Sequence, residues 1–342
     1  MPTENTDQQN SDQLNSDRPD LQPNLTPEQP ATPSQKLTQK LTKLDAMVDR
    51  LQAACKHWAG HLQQRTGKLP TVPKPLLPLV KALRLDTPAI HLLLVWPMLW
   101  GLFTADDNPL FAIIEVTALA FILRAGLLLY DDTQGHTDDQ STSTTKQVPP
   151  LLRITLLAIL AMLGLGLSWV LGPAAFGFTL LWILAAAAHP HMYHITWYPQ
   201  LYSGLVLGGL PALIGHAAGG VFNLAIIFVF VACIIWVAGI ETLRASLRQR
   251  LDAATNTRSI ALMLGRRQLP FVGLCLTSSL LIMALAGALM HASAGFYLCL
   301  LVAQALPGQS PWQARASHQQ VLQTIRRSHY SAGLVLLGLL LA

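Results

Sequence analysis

Residues 221–252 read VFNLAIIFVFVACIIWVAGIETLRASLRQRLD. The first part, 222–243, is apolar over the roughly 20 residues that an α-helix needs to cross bilayer hydrocarbon. Glu241, Arg244, Arg248 and Asp252 follow at steps of three, four and four, which on a continuing helix places them in a single stripe. A helix that leaves the bilayer as a charged stripe sets the pattern against which the rest of the chain is read.

Outward from this stretch the composition is that of a membrane protein. Of 342 residues, 51% are hydrophobic and 12% charged, too few charges for an ordinary soluble domain. Further apolar runs lie at 88–105, 110–131, 151–171, 173–188, 200–218, 269–290, 294–306 and 330–342, which with 222–243 predicts an all-α protein of about nine transmembrane helices. The net charge of +5 does not imply nucleic acid, because the cations collect in alternate connections. Lys74, Lys81 and Arg84 precede the first run, Lys146 and Arg153 follow the second, six arginines lie between 244 and 267, and Arg315, Arg326 and Arg327 precede the last. The intervening connections near 104–109, 172, 216–221 and 291–293 have no Lys or Arg, so the pattern predicts a multi-pass inner-membrane protein with a cytoplasmic N terminus.

Ahead of the membrane domain (81–342), residues 1–35 are polar and poor in aliphatics, which predicts a disordered tail. Residues 36–66 carry a heptad seam of Leu37, Leu41, Leu44, Val48, Leu51, Cys55, Trp58 and Leu62, expected as an amphipathic helix on the bilayer or a coiled-coil partner element. A Pro-rich linker spans 67–80. Cys55, Cys233, Cys275 and Cys299 have neither disulfide nor zinc spacing.

A second acidic cluster, Tyr130-Asp131-Asp132-Thr133-Gln134-Gly135-His136-Thr137-Asp138-Asp139, ends the run at 110–131 on the same side as the 241–252 stripe. Asp132 and Asp139 are seven apart and share a helical face. Carboxylates from two such segments suit a hard divalent cation such as magnesium bridging to phosphate oxygens, so a diphosphate is the expected guest.

Three stretches carry a resemblance to a known family. Residues 83–88 (LRLDTP) followed by 92–100 (LLLVWPMLW), residues 189–200 (HPHMYHITWYPQ) with Gly204, Gly208 and Pro211, and residues 259–265 are similar to segments of the UbiA superfamily, particularly its 4-hydroxybenzoate polyprenyltransferase branch. The resemblance implies a UbiA-type helical bundle, and two acidic motifs that bind magnesium and a polyprenyl diphosphate. In the first motif Asp131 stands at the Asn position, Asp132 and Asp139 match, and Gly135 replaces an aspartate. In the second, Glu241 keeps a carboxylate, Arg248 replaces an aspartate, and Asp252 matches. Asp131, Asp132, Asp139, Glu241 and Asp252 are thus the expected metal ligands, the last four also catalytic, and Arg84, Arg124, Lys146, Tyr193, Arg244 and Arg248 the expected substrate contacts. Tyr193-His194 stands where the family has Lys-Arg.

The implied activity is transfer of a polyprenyl group to an aromatic acid such as 4-hydroxybenzoate, as in ubiquinone biosynthesis, with Arg84 or Arg124 pairing the acceptor carboxylate. Two other readings stand beside it. The altered motifs fit a paralogue without turnover that binds lipid or assembles quinone-synthesis enzymes through residues 36–66, and a transporter would require charges at mid-bilayer, where Glu115 is the main exception. His189, His191 and His194 read as an interfacial loop around Pro190, and Trp96, Trp100, Trp197 and Trp236 as interface anchors or groove lining.

Overall fold

A computed structural model describes residues 80, 83–85, 90–105, 110–134, 148–255, 257–307 and 317–342. The tail, the heptad seam and the linker up to residue 79 lie outside the described residues, as do Asp86, Asp139 and Lys146. The described part is all-helical. Its helices are α1 (Leu92–Leu102), α2 (Leu110–Thr133), α3 (Pro150–Leu171), α4 (Pro173–Ile195), α5 (Pro199–Gly219), α6 (Leu224–Ala254), α7 (Ile260–Leu289), α8 (Ala294–Ala305) and α9 (His318–Leu340). Each apolar run of the sequence falls in one of them. The six helices α2 to α7 are long and apolar enough to cross a membrane, which makes this a multi-pass membrane protein. α1 and α8 are apolar but only 11 and 12 residues long, and α9 starts in polar sequence before its apolar half.

Consecutive helices pack on one another from α1 to α9, and α9 returns to α1, so the bundle closes as a ring, with α1 also lying against α5 and α6. Apolar side chains point both ways, as lipid requires. Leu94, Leu119, Val206, Val229 and Phe296 fill the interior, whereas α3 buries only Gly164 and Ser168 and presents Leu151, Ile154, Met162 and Val170 outward. With no apolar gain from helix association in lipid, close approach depends on small residues. A Cβ at Gly208 in α5 would run into the Cys233 carbonyl of α6, and one at Gly215 into the Met98 carbonyl of α1.

The connection of α4 to α5 differs from the expected loop. α4 continues through Pro190 to Ile195, carrying His189, His191 and His194 on helix. Proline removes the N–H that would serve the Ala186 carbonyl, and the carbonyls on either side of it gain hydroxyl donors: Tyr202 donates to Ala185 at 2.8 Å and Tyr130 to Ala187 at 3.2 Å. Two of the tryptophans expected as interface anchors or groove lining are core residues. Trp100 and Trp236 are 1% and 3% exposed and lie against each other, and Trp100 Nε1 donates to the Ala332 carbonyl. Trp197 is exposed, with the Arg258 guanidinium over its ring.

Candidate active site

The up–down course of the chain brings the ends of α2, α4 and α6 to the same side of the bundle as the starts of α1, α5, α7 and α9. There a cavity of ≈ 630 Å³ opens among them. Its wall holds Asp131 and Arg124 of α2, His189, Tyr193 and His194 of α4, Gln200 of α5, Glu241, Arg244, Arg248 and Asp252 of α6, and Arg84 ahead of α1. Leu322 and Ile325 of α9 close the remaining side. The charged stripe of α6 therefore faces inward along its whole length, opposite the end of α2.

Individual partners are specific. Arg84 Nη2 donates to Asp132 Oδ1 at 3.0 Å, and the Asp132 side chain is fully buried behind it. Asp132 does not line the cavity although its neighbour Asp131 does, because successive helical residues point about 100° apart. Arg84 itself adopts φ +51°, a left-handed conformation uncommon for a side-chain-bearing residue, and His91 Nε2 meets its carbonyl oxygen at 3.3 Å. The turn aims the guanidinium at Asp132. Arg244 Nη1 donates to Glu241 Oε1 at 2.7 Å, one turn apart on α6.

Asp131 faces His189 Nδ1 at 3.4 Å, and His189 Nε2 meets Ser203 Oγ at 3.0 Å. The Tyr193 hydroxyl lies 3.4 Å from the same Ser203. The end of α4 is tied to the loop before α7: Arg258 donates its N–H to the Tyr193 carbonyl and Nη1 to the Ile195 carbonyl. This satisfies carbonyls a helix end leaves open. His189 and Gln200 belong to the site in positions the sequence reading did not assign to it; the signal was the i, i+4 pairing of His189 with Tyr193, both on the inner face.

Two buried donors on the cavity wall lack acceptors. Arg124 is 5% exposed and makes no hydrogen bond or ion pair among the described residues, its Nε being wholly enclosed. Gln200 is 1% exposed; its Oε1 accepts from the Ile260 N–H at 2.9 Å while Nε2 has no partner. Such atoms are costly to leave unmade, and both are donors.

Four of the five carboxylates expected to hold magnesium lie among the described residues. Asp131, Glu241 and Asp252 line the cavity and Asp132 sits behind Arg84, but among the described residues no three His, Cys, Asp or Glu side chains stand close enough to hold one ion. The cause is the pairing just described: the described acids Asp131, Asp132 and Glu241 face a base of the same cavity. The described residues thus do not fit a shared ion.

Known proteins are similar to this chain in sequence and in fold. A 4-hydroxybenzoate octaprenyltransferase of Alkalilimnicola ehrlichii is 26% identical over 269 residues, covering 75% of this chain and 92% of its own length. Among solved structures, an apo UbiA homolog from Aeropyrum pernix K1 superposes with a TM-score of 0.59 at 17% identity, covering 73% of this chain and 97% of that one. A UbiA homolog from Archaeoglobus fulgidus bound to GPP and Mg2+ gives 0.53 at 14% identity, covering 75% of this chain and 99% of that one. These similarities fix the fold, and the family model of the UbiA prenyltransferases matches residues 94–327, from α1 into the first half of α9, which includes every described wall residue but Arg84 and Ile90. The chain belongs to the UbiA prenyltransferase family.

Proposed function

We propose that this protein transfers a polyprenyl group from a polyprenyl diphosphate to an aromatic acid of the 4-hydroxybenzoate type, on the cytoplasmic face of an inner membrane, as a step of quinone synthesis. The observation that carries the reading is the cavity at one end of a lipid-embedded bundle, walled by Arg84, Arg124, Arg244 and Arg248, in which buried donors of Arg124 and Gln200 await acceptor oxygens. An amphiphile with an anionic head and an apolar tail matches a charged chamber set in hydrocarbon.

In this reaction the allylic C–O bond breaks and its electron pair leaves on the diphosphate. A ring carbon next to the acceptor hydroxyl then bonds the allylic carbon, and the displaced ring proton goes to solvent or to a base. Arg244 and Arg248 stand at the polar end of α6, where the departing diphosphate gathers charge, and fixed cations there stabilise that charge more in the transition state than in the ground state. Arg124 lies seven residues before Asp131 on α2, about 10 Å further into the bilayer, and we assign to it the acceptor carboxylate. Tyr193 and His189 shape the wall between the two.

Membranes carrying the protein, supplied with labelled polyprenyl diphosphate and 4-hydroxybenzoate, are expected to form prenylated acid. Arg124→Met is expected to lower kcat/KM at least about tenfold, chiefly through the acceptor's KM. A second reading is favoured by Arg248, a cation where the family has an aspartate: a lipid-binding paralogue without turnover. Absence of product with every aromatic acid, together with saturable binding of the diphosphate, would select it.

A further inference from the structure

We infer that this protein takes the diphosphate of its lipid substrate directly on guanidinium groups, without a divalent cation between them. The inference rests on reading the cavity as a prenyl diphosphate site. Three observations carry it. First, two acids that would draw an ion already face guanidiniums, Asp132 accepting from Arg84 at 3.0 Å and Glu241 from Arg244 at 2.7 Å, and a third, Asp131, faces the His189 imidazole at 3.4 Å. An incoming divalent ion must displace a guanidinium or sit beside it, and like charges at that range repel strongly in a low-dielectric site. Second, Arg248 holds the middle of the α6 stripe between Glu241 and Asp252 and lines the cavity, so a cation stands where a carboxylate would attract the metal. Third, Gln200, 1% exposed, holds Nε2 on the same wall as a buried donor without an acceptor.

A phosphate oxygen supplies that acceptor; a magnesium ion does not. The general charge balance agrees. A wall made only of acids admits a polyanion after divalent ions neutralise it. Here four guanidiniums share the wall with three carboxylates, and arginine matches phosphate oxygens in paired hydrogen bonds. The substitutions that dismantle the metal set thus also build a replacement for it.

The test is calorimetric titration of geranyl diphosphate into the purified full chain in detergent, once with EDTA and once with magnesium. Expected are dissociation constants within about threefold of each other, and competition by inorganic diphosphate in both buffers. Arg248→Asp, which returns a carboxylate to the stripe, is expected to bind at least about tenfold more tightly with magnesium than with EDTA. Wild-type binding that appears only with magnesium overturns the inference and leaves the proposed prenyl reaction standing. No binding in either buffer overturns both. Should Arg248→Asp fail to fold, Arg248→Gln decides the residue's part: binding about tenfold weaker in both buffers supports it, and unchanged affinity in EDTA overturns it.

Discussion

Arg84 and Asp132 form the most enclosed ion pair of the site, with side-chain exposures of 17% and 0%. Breaking a buried pair by removing one member costs about 3–5 kcal/mol. Arg84→Ala is therefore expected to lower the unfolding midpoint in detergent sharply, and Asp132→Asn combined with it to recover part of the loss. A double-mutant cycle with no coupling would show that the pair is not formed. Arg124 makes the opposite prediction. A central arginine in a membrane helix costs roughly 2.5–3.5 kcal/mol, and this one has no partner among the described residues, so Arg124→Met should raise stability while it weakens substrate binding. Such a trade marks a residue kept for a ligand. The spacing of Glu241, Arg244, Arg248 and Asp252 was legible as one stripe because a helical period maps sequence directly to a face. The divergence of Asp131 from Asp132 was less so: a motif lists both as ligands, whereas helix geometry turns one to the cavity and the other to Arg84. Gln200 was legible only as part of a resemblance, since its role depends on the Ile260 N–H sixty residues away.

Helix existence was written in the apolar runs, and helix ends were not. α4 was expected to stop at 188 because Pro190 lacks an N–H, yet it reaches Ile195. The compensation comes from Tyr130 of α2 and Tyr202 of α5, whose hydroxyls donate to Ala187 and Ala185, and no local reading of α4 contains those partners. This extra stretch matters for the site, because it carries His189, Tyr193 and His194 to the cavity wall. Tyr130→Phe and Tyr202→Phe together are expected to loosen that end of α4, seen as faster amide exchange over 189–195, while the rest of the bundle keeps its protection. The α5–α6 contact has a sharper signature. Gly204 and Gly208 bring their backbone against the Ile234 and Cys233 carbonyls, and overpacking typically costs about 1–3 kcal/mol. Gly208→Val should cost at least that and lower activity with it, because α5 carries Gln200 and α6 the whole charged stripe. Loss of stability with full activity in the remaining folded protein would separate the packing from the site.

At the scale of the molecule, alternation of helix direction does most of the work. Even-numbered helices α2, α4 and α6 end, and odd-numbered α1, α5, α7 and α9 begin, on the side that holds every charged wall residue of the cavity. A transporter would place such charges at mid-bilayer; Glu115, the exception noted in the sequence, lies in the second turn of α2 and is not part of the cavity wall. The sequence showed this sidedness through loop charges alone. α1 and α8, at 11 and 12 residues, are too short to cross by themselves and depend on neighbours for burial; the run at 294–306 is short in the sequence already, whereas that at 88–105 is not. The proposed cytoplasmic placement of the cavity rests on the same charges: Arg258, Arg266 and Arg267 join α6 to α7, while the connections at 172 and 220–223 have no Lys or Arg. Arg266 and Val221 are both exposed and lie at opposite ends of the bundle. In a background with the native cysteines replaced, Val221→Cys should react with a membrane-impermeant maleimide in intact cells, and Arg266→Cys only after the inner membrane is opened. The reverse pattern would put the cavity outside, away from any cytoplasmic supply of prenyl diphosphate, and the proposed reaction would fall with the orientation.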